Sequence, residues 1–401
     1  MKYLEPPKLQ LLDRLSEFRG KVDFSNTVLV GIQHVLTSTA SLMVKLEQAG
    51  LDYERMFLLG KVYSSNPQSA EALKRLGIFV HPSSLKLDSV TLLEDYRVQL
   101  GEAAADLIAT ANERLRSQPK PRRLLVLDSG GTLIGLVNHH RASIDAEIVA
   151  VEQTRSGARA IRDLTKPLLP VINVAESRAK LRHESPYIAS AIIDKMRVEI
   201  QKLPMETYLP NLKTLVVGAG AIGMEVAKQL TNKVAELTIY DPDDERVAVA
   251  RKNGLLASSL RAGLSRSQLI IGCVGKSWLP KNSERHIRDE AILVSGSSSN
   301  VEFLGLRLLD GSDEDGSKLV HRNYPVKVPN GTAWILNAGF PVDFDGSPAP
   351  IPLHTIQYTM ALMLAGAYQA TDGPSTGPGL LGLDERLQDF LIREARSRNI
   401  I

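Results

Sequence analysis

Residues 215–230 read LVVGAGAIGMEVAKQL, and this stretch decides the fold. An apolar run leads into Gly218, Gly220 and Gly223, spaced G-x-G-x-x-G, and the chain then takes up a helical period. Such a match alone is a weak signal. Here it follows a strand, opens an amphipathic helix, and is followed by a second strand, Leu237–Tyr240, that runs into Asp241. That is the full context of a dinucleotide-binding unit. Gly218 permits the tight turn, Gly220 lets the backbone approach a pyrophosphate, and Gly223 lets helix pack on strand. The phosphates are expected at the helix N-terminus, over the N–H groups of Ala221 and Ile222. Asp241 stands where a carboxylate accepts from the ribose hydroxyls of NAD and repels the 2′-phosphate of NADP, so NAD is the expected cofactor. Arg246, on the next helix, reads as facing solvent.

Outward from this stretch, short apolar runs alternate with helix-period segments, the pattern of parallel α/β sheets. Before it, strands are expected at Thr27–Ile32, Arg55–Leu59, Ile78–Val80, Arg123–Asp128, Glu147–Val151 and Pro170–Val174. Within the glycine-motif unit they are expected at Thr214–Val217, Leu237–Tyr240, Gln268–Ile271 and Ala291–Val294. Helical patterns include Ser38–Ala49, Ser69–Leu76, Leu93–Leu115, Pro186–Leu203, Thr355–Ala370 and Asp384–Arg398. Pro186–Leu203 reads as a long helix joining two sheet domains. The GSDEDGS run at 311–317 reads as an exposed hairpin or loop, and 371–379 as a flexible run.

The 401 residues, 48 of them Lys or Arg against 45 Asp or Glu, carry a formal charge of +3 and suit two or three domains. The basic cluster Lys120–Arg123 is interrupted by Pro121 and lacks aromatic residues, so nucleic-acid binding is not expected. A single cysteine, Cys273, excludes an intrachain disulfide and cysteine-rich metal centres; no metal is expected. No apolar segment approaches the ~20 residues of a membrane helix, and the proline-broken, charged N-terminus is no signal peptide. A cytoplasmic protein without membrane partners is the expectation. The adjacent His139 and His140 read as a surface pair.

Four further segments carry a resemblance. GIQHVLTSTASL at 31–42, LDSGGTL at 127–133, VEQTRSG at 151–157 and PVINVAESRAKLRHES at 170–185 are similar, in this order, to segments of the adenosylhomocysteinase (S-adenosylhomocysteine hydrolase) family. The glycine motif follows at the family's distance, and ILNAG at 335–339 is similar to its VNLG. The resemblance implies a Rossmann-type NAD domain, 186–345, inserted into a second α/β domain with a parallel sheet that binds substrate, 1–185 completed by 346–401. It implies transient oxidation of a ribose 3′-hydroxyl by tightly held NAD⁺, elimination of the 5′ thiol, addition of water and return of the hydride. It also implies a homodimer or homotetramer.

Carried over position by position, the resemblance places the family's catalytic lysine on Lys180 and its aspartate four residues on at Glu184. The second lysine falls on Arg182. His34, Thr39, Asp128, Gly130, Gly131, Glu152, Thr154, Asn173 and Asn337 match the family's residues. Elsewhere the chain departs: Ser129 and Gln153 replace carboxylates, Arg155 and Ser156 replace threonines, and Ser298 replaces a histidine. A lysine base needs its pKa lowered by burial or a nearby cation, and Arg182 is one such cation. The assignments are Lys180, His34 and Glu184 in catalysis, with Thr39, Ser129, Gln153 and Arg182 against substrate. Thr154, Arg155, Ser156, Cys273, Val274 and Asn337 join Gly218, Gly220, Ala221, Ile222, Gly223 and Asp241 around the cofactor. Cys273 also reads as a small buried apolar side chain.

The expected function is NAD-dependent oxidation of a secondary alcohol on a nucleoside- or sugar-like small molecule, transient or net. A catalytically silent NAD- or nucleoside-binding homologue with a regulatory role is the alternative of another class. True adenosylhomocysteine hydrolysis is a third, from which the replaced carboxylates and histidines point away.

Overall fold

Branched and leucine-rich runs assort into two sheets in the computed structural model, which describes residues 5–86, 92–303, 306, 320–372 and 377–401. The run at 311–317 lies outside the described residues. The chain divides into two units: 1–86 with 97–184 and 347–401, and 87–96 with 185–346.

The first unit holds β1 (Thr27–Gln33), β2 (Met56–Gly60), β3 (Phe79–Val80), β4 (Arg123–Asp128), β5 (Glu147–Glu152), β6 (Pro170–Asn173) and β13 (Gly379–Gly382). They run in the order β13-β6-β5-β4-β1-β2-β3, every pair parallel. All seven residues of β1 are buried, as expected for a central parallel strand covered by helices on both faces. The helix Leu353–Asp372 supplies Tyr358, Leu362 and Ala365 to the same core as Leu125 of β4 and Val149 and Val151 of β5. From β1 the chain steps to β2 and β3 on one side, then returns to β4 on the other. The order therefore reverses between β1 and β4. In open α/β sheets the crevice outside the carboxyl ends of such strands is where ligands bind.

The second unit holds β7 (Lys213–Val217), β8 (Glu236–Tyr240), β9 (Leu269–Gly272), β10 (Ile292–Ser295), β11 (Tyr324–Val328) and β12 (Gly331–Ile335), in the order β11-β12-β10-β9-β7-β8. Pairing is parallel except in the hairpin β11–β12. A parallel bridge, Ile239 to Ala257, adds one further crossing outside β8. With that bridge as the third strand, the order becomes 3-2-1-4-5, that of a Rossmann-like sheet, with its reversal between β7 and β9.

β4 spans the expected residues, and nine others differ by one residue at one or both ends. The hairpin β11–β12 and the edge strand β13 were not expected. The helix expected at Pro186–Leu203 runs Ser185–Ile200 and is no free joint. Its Ala189, Ile192, Ile193 and Met196 belong to the core of the second unit with Val216 and Val294. Among the described residues no helix is long and apolar enough to cross a membrane.

Candidate functional site

The glycine turn follows β7 at the reversal point of the second sheet. Gly218 has φ +105°, open to glycine, and a Cβ there would stand 2.9 Å from the Cys273 carbonyl oxygen. Its N–H donates to the Tyr240 carbonyl at 2.7 Å. Gly220 is the extended N-cap of the helix Ala221–Leu230 and has no side chain over its first turn. A Cβ on Gly223 would overlap the Gly218 carbonyl oxygen. Asp241, at the end of β8, accepts from the Ala219 N–H at 2.7 Å and from the Asp243 N–H at 3.0 Å. It thereby ties the turn to the end of β8. Arg246 is exposed, as read from sequence, and from the surface it approaches this corner, 3.7 Å from Asp241 and 3.3 Å from Asp243. Turn, free helix start and carboxylate together fit a dinucleotide.

Across the reversal point, Cys273 follows β9. Burial pushes its thiol well above the usual range, and the charges of Glu302 and Asp343 add to this. A Cβ on Gly296 would touch its sulfur, so Cys273 is packed and protonated, which excludes a reactive thiolate. Behind it stands a residue the sequence did not mark. Glu302 is fully buried and accepts from the N–H groups of Val274 at 2.8 Å and Gly275 at 2.6 Å, fixing the loop after β9. The side chains of Ser297 and Trp278 also hydrogen-bond its carboxylate. Asn337, assigned to the cofactor, has its amide committed locally. Its Nδ2 donates to the carbonyls of Pro341 and Phe344, and its Oδ1 accepts from the His321 N–H.

Burial raises Glu302 from 4.5 to about 7. The folded state thus holds a proton that the unfolded state has lost. The stability this proton brings is complete below pH 4.5 and is lost as pH rises through 7. At about 1.4 kcal/mol per pH unit, the interval is worth about 3 kcal/mol. Glu302→Gln, which keeps the acceptor for Val274 and Gly275, is expected to escape that loss. Urea unfolding at pH 5 and pH 8 should show the variant gaining on the parent by roughly this amount between the two. Equal slopes would mean the carboxyl is ionised throughout.

In the first unit, the loops after β1, β2, β4 and β5 meet at the carboxyl edge. His34 follows β1, and its Nδ1 lies 2.6 Å from Ser64 Oγ. Burial, with the charges of Lys61 and Lys180, holds its pKa well below 6.5, so the imidazole is neutral. Thr39, assigned to substrate, donates its hydroxyl to the His34 carbonyl at 2.5 Å and positions that residue. Ser129 follows β4, is buried, and accepts from Lys61 Nζ at 3.0 Å. Gln153 follows β5, also buried, with its Oε1 unpartnered.

Beneath them lie two buried carboxylates. Asp128 accepts from the N–H groups of Ser129 at 2.7 Å and Ile134 at 2.9 Å. Glu152 accepts from the N–H groups of Gly130 at 3.1 Å, Gly131 at 3.0 Å and Thr154 at 2.7 Å, and from the Thr154 hydroxyl at 2.7 Å. Burial raises both pKa values, Asp128 adding to the effect on Glu152.

Lys180, on the helix Arg178–His183 after β6, is ion-paired with Glu184 at 2.9 Å. Glu184 Oε1 also accepts from Thr359 Oγ1 at 2.6 Å. Arg182 is exposed, away from this pair. Thr154, Arg155 and Ser156, assigned to the cofactor, open the helix Arg155–Arg162 of the first unit. Thr154 is its N-cap, accepting from the Gly157 N–H at 3.1 Å, with Ser156 Oγ 3.2 Å away. Arg155 is exposed. His139 and His140 are exposed. Lys61, Ser64 and Thr359 were missed, since each gains its meaning from a residue distant in sequence. Among the described residues no cluster of His, Cys, Asp or Glu could hold a metal.

No protein-family model matches the chain. Two proteins of Mycobacterium tuberculosis, both described as uncharacterized, are similar to it: MT0113 of strain CDC 1551 / Oshkosh and Rv0104 of strain ATCC 25618 / H37Rv. Each is 29% identical over 365 residues, 90% of this chain and 67% of the relative. Among solved structures, L-tryptophan dehydrogenase from Nostoc punctiforme aligns at 14% identity over 43% of this chain and 48% of its own, with a TM-score of 0.28. At that level the likeness carries nothing about chemistry.

Proposed function

We propose that this chain is an NAD-dependent enzyme similar to the adenosylhomocysteinase family, oxidising a secondary alcohol of a nucleoside- or sugar-like substrate, transiently or net. The observation that carries the reading is the glycine turn after β7, where a Cβ on Gly223 would overlap the Gly218 carbonyl and Asp241 closes the turn. The first helical turn offers the N–H groups of Ala221 and Ile222 to phosphate, and Asp241 takes the ribose hydroxyls. When bound there, NAD⁺ supplies a hydride acceptor.

The proton chemistry falls to the first unit. Lys180 passes a proton to Glu184 and takes the one leaving the substrate hydroxyl, while the Thr359 hydroxyl keeps Glu184 in place. The neutral imidazole of His34 hydrogen-bonds a second substrate group. Lys180→Met is therefore expected to lower turnover by ~10²–10⁴-fold with nucleotide content unchanged. The test is to denature the purified protein and assay the supernatant for NAD⁺ and NADH. Intact protein, wild type and variant, is then mixed with adenosylhomocysteine and a panel of nucleosides and sugars, following NADH absorbance and free thiol. No nucleotide retained, and none bound on addition, would overturn the reading.

A second reading, a silent binding homologue, is favoured by one observation. Lys180 is engaged by Glu184 at 2.9 Å and 3.1 Å, so its ammonium is already committed. Bound NAD, measurable substrate affinity and no absorbance change across the panel would select it.

A further inference from the structure

A lysine at the end of an apolar strand, as in FLLGK at 57–61, ordinarily extends into water. Lys61 does the opposite and is only 3% exposed. Because β1 lies between β2 and β4, a side chain that starts after β2 and reaches Ser129 after β4 must cross the carboxyl end of β1. The ammonium therefore sits across the reversal point of the sheet. It has three donors, and among the described residues its one hydrogen bond is the 3.0 Å contact to Ser129 Oγ. Among the described residues it forms no ion pair. Asp128 and Glu152 below it attract the ammonium, but their hydrogen bonds go to backbone N–H groups and the Thr154 hydroxyl, as set out above. Gly130 leaves the ammonium uncovered on the side where a Cβ would stand 3.6 Å from Nζ.

One strand over, Gln153 follows β5 in the register where Asp128 faces Glu152. It is 5% exposed, and among the described residues its Oε1 is a buried acceptor with no donor. The crevice thus presents a desolvated cation with protons to spare beside an amide oxygen that lacks one. A buried charge left so is costly unless an opposite charge meets it, and a buried acceptor calls for a donor.

We infer that this crevice recognises an oxyanion on a hydroxylated small molecule, a carboxylate or a phosphate held by Lys61 and Ser129, with a neighbouring hydroxyl donating to Gln153. The inference rests on the reading of the first unit as the substrate-binding one, and it names the substrate class: sugar acids or sugar phosphates rather than neutral nucleosides. Lys180 and Glu184 satisfy each other, which leaves Lys61 as the cation that selects charge. The neutral His34 beside it adds no competing charge.

Calorimetric titration of the full chain, in the presence of NAD, with D-gluconate, ribose 5-phosphate, ribose and adenosine tests this. The first two separate carboxylate from phosphate, and the last two are the neutral comparison. One oxyanion compound is expected to bind about tenfold or more tighter than the neutral ones, because a charge-assisted hydrogen bond is lost in the latter. Lys61→Met should erase that preference, Lys61→Arg should keep part of it, and Gln153→Leu should weaken the oxyanion and the neutral sugar alike. If Lys61→Met does not fold, Lys61→Arg and Ser129→Ala decide, each being expected to reduce the preference. Equal binding of charged and neutral compounds, a preference that survives these substitutions, or no binding of any of the four overturns the inference. Failure of the enzymatic reading looks different: no nucleotide held by the second unit and no absorbance change, with the oxyanion preference of the first unit intact.

Discussion

Replacing Gly223 by valine is expected to abolish NAD binding while leaving the first unit folded. The new Cβ alone would overlap the Gly218 carbonyl oxygen and press on the Cys273 side chain at 3.3 Å. Neither can retreat. The Gly218 N–H is bonded to Tyr240 at 2.7 Å, the Ala219 N–H to Asp241 at 2.7 Å, and the Cys273 N–H to Val217 at 2.8 Å. The helix Ala221–Leu230 must therefore lift at its first turn, the turn that faces the phosphates. Overpacking of this kind costs ~1–3 kcal/mol and more where the backbone is pinned. Displaced helix N–H groups would take affinity down by roughly 100-fold or more. Gly135→Ala, in the helix Thr132–His139 of the first unit, is the control. Nothing lies within 4 Å of its added Cβ, and it should stabilise by ~0.5–1 kcal/mol. Calorimetric titration with NAD and a melting curve read both variants. Wild-type affinity in Gly223→Val would place the nucleotide elsewhere.

The contrast between these glycines explains what was legible beforehand. The motif at 218–223 is local, since its three glycines, the strand before and the carboxylate after all lie within about one supersecondary unit. The same holds for β4, whose RLLVLD run is apolar throughout between its two charged ends. Lys61 was not legible because its burial is set by Ser129, 68 residues away, and by strand order that no period reveals. Glu302 was missed for the same reason: its partners, Val274 and Gly275, are 28 and 27 residues upstream, and alone it reads as a solvated acid. β13 is four residues, Gly379–Gly382, bounded by glycines, and exists by pairing with β6. Arg246 faces solvent, as its helical period says, and meets the two aspartates at the turn from the surface. Thr39 shows the converse. The sequence assigns it to substrate by a local motif, and the structure adds that its hydroxyl donates to the His34 carbonyl.

The other large effect is expected at Glu152, whose replacement by alanine should unfold the first unit's carboxyl edge. Two forces oppose one another there. The carboxylate is fully buried and raised in pKa by burial and by Asp128, so removing it relieves a desolvated charge and a like-charge contact. Against that, four donors lose their acceptor: the N–H groups of Gly130, Gly131 and Thr154, and the Thr154 hydroxyl. Each buried donor left unpaired costs ~1–3 kcal/mol, so four outweigh the relief and the net loss is roughly 3–6 kcal/mol. At ~2–4 °C per kcal/mol for a unit of this size, melting should fall by about 10 °C or more. Glu152→Gln discriminates between the two forces. Its carbonyl still serves part of the set, while its amide nitrogen meets an N–H head on, so its loss should be intermediate if acceptors dominate. If the buried charge dominates instead, glutamine would melt above the wild type. The expected order is wild type, glutamine, alanine. Affinity for small molecules at the crevice should fall in that same order, because the loop 129–131 and the helix cap at Thr154 hang from this one carboxylate.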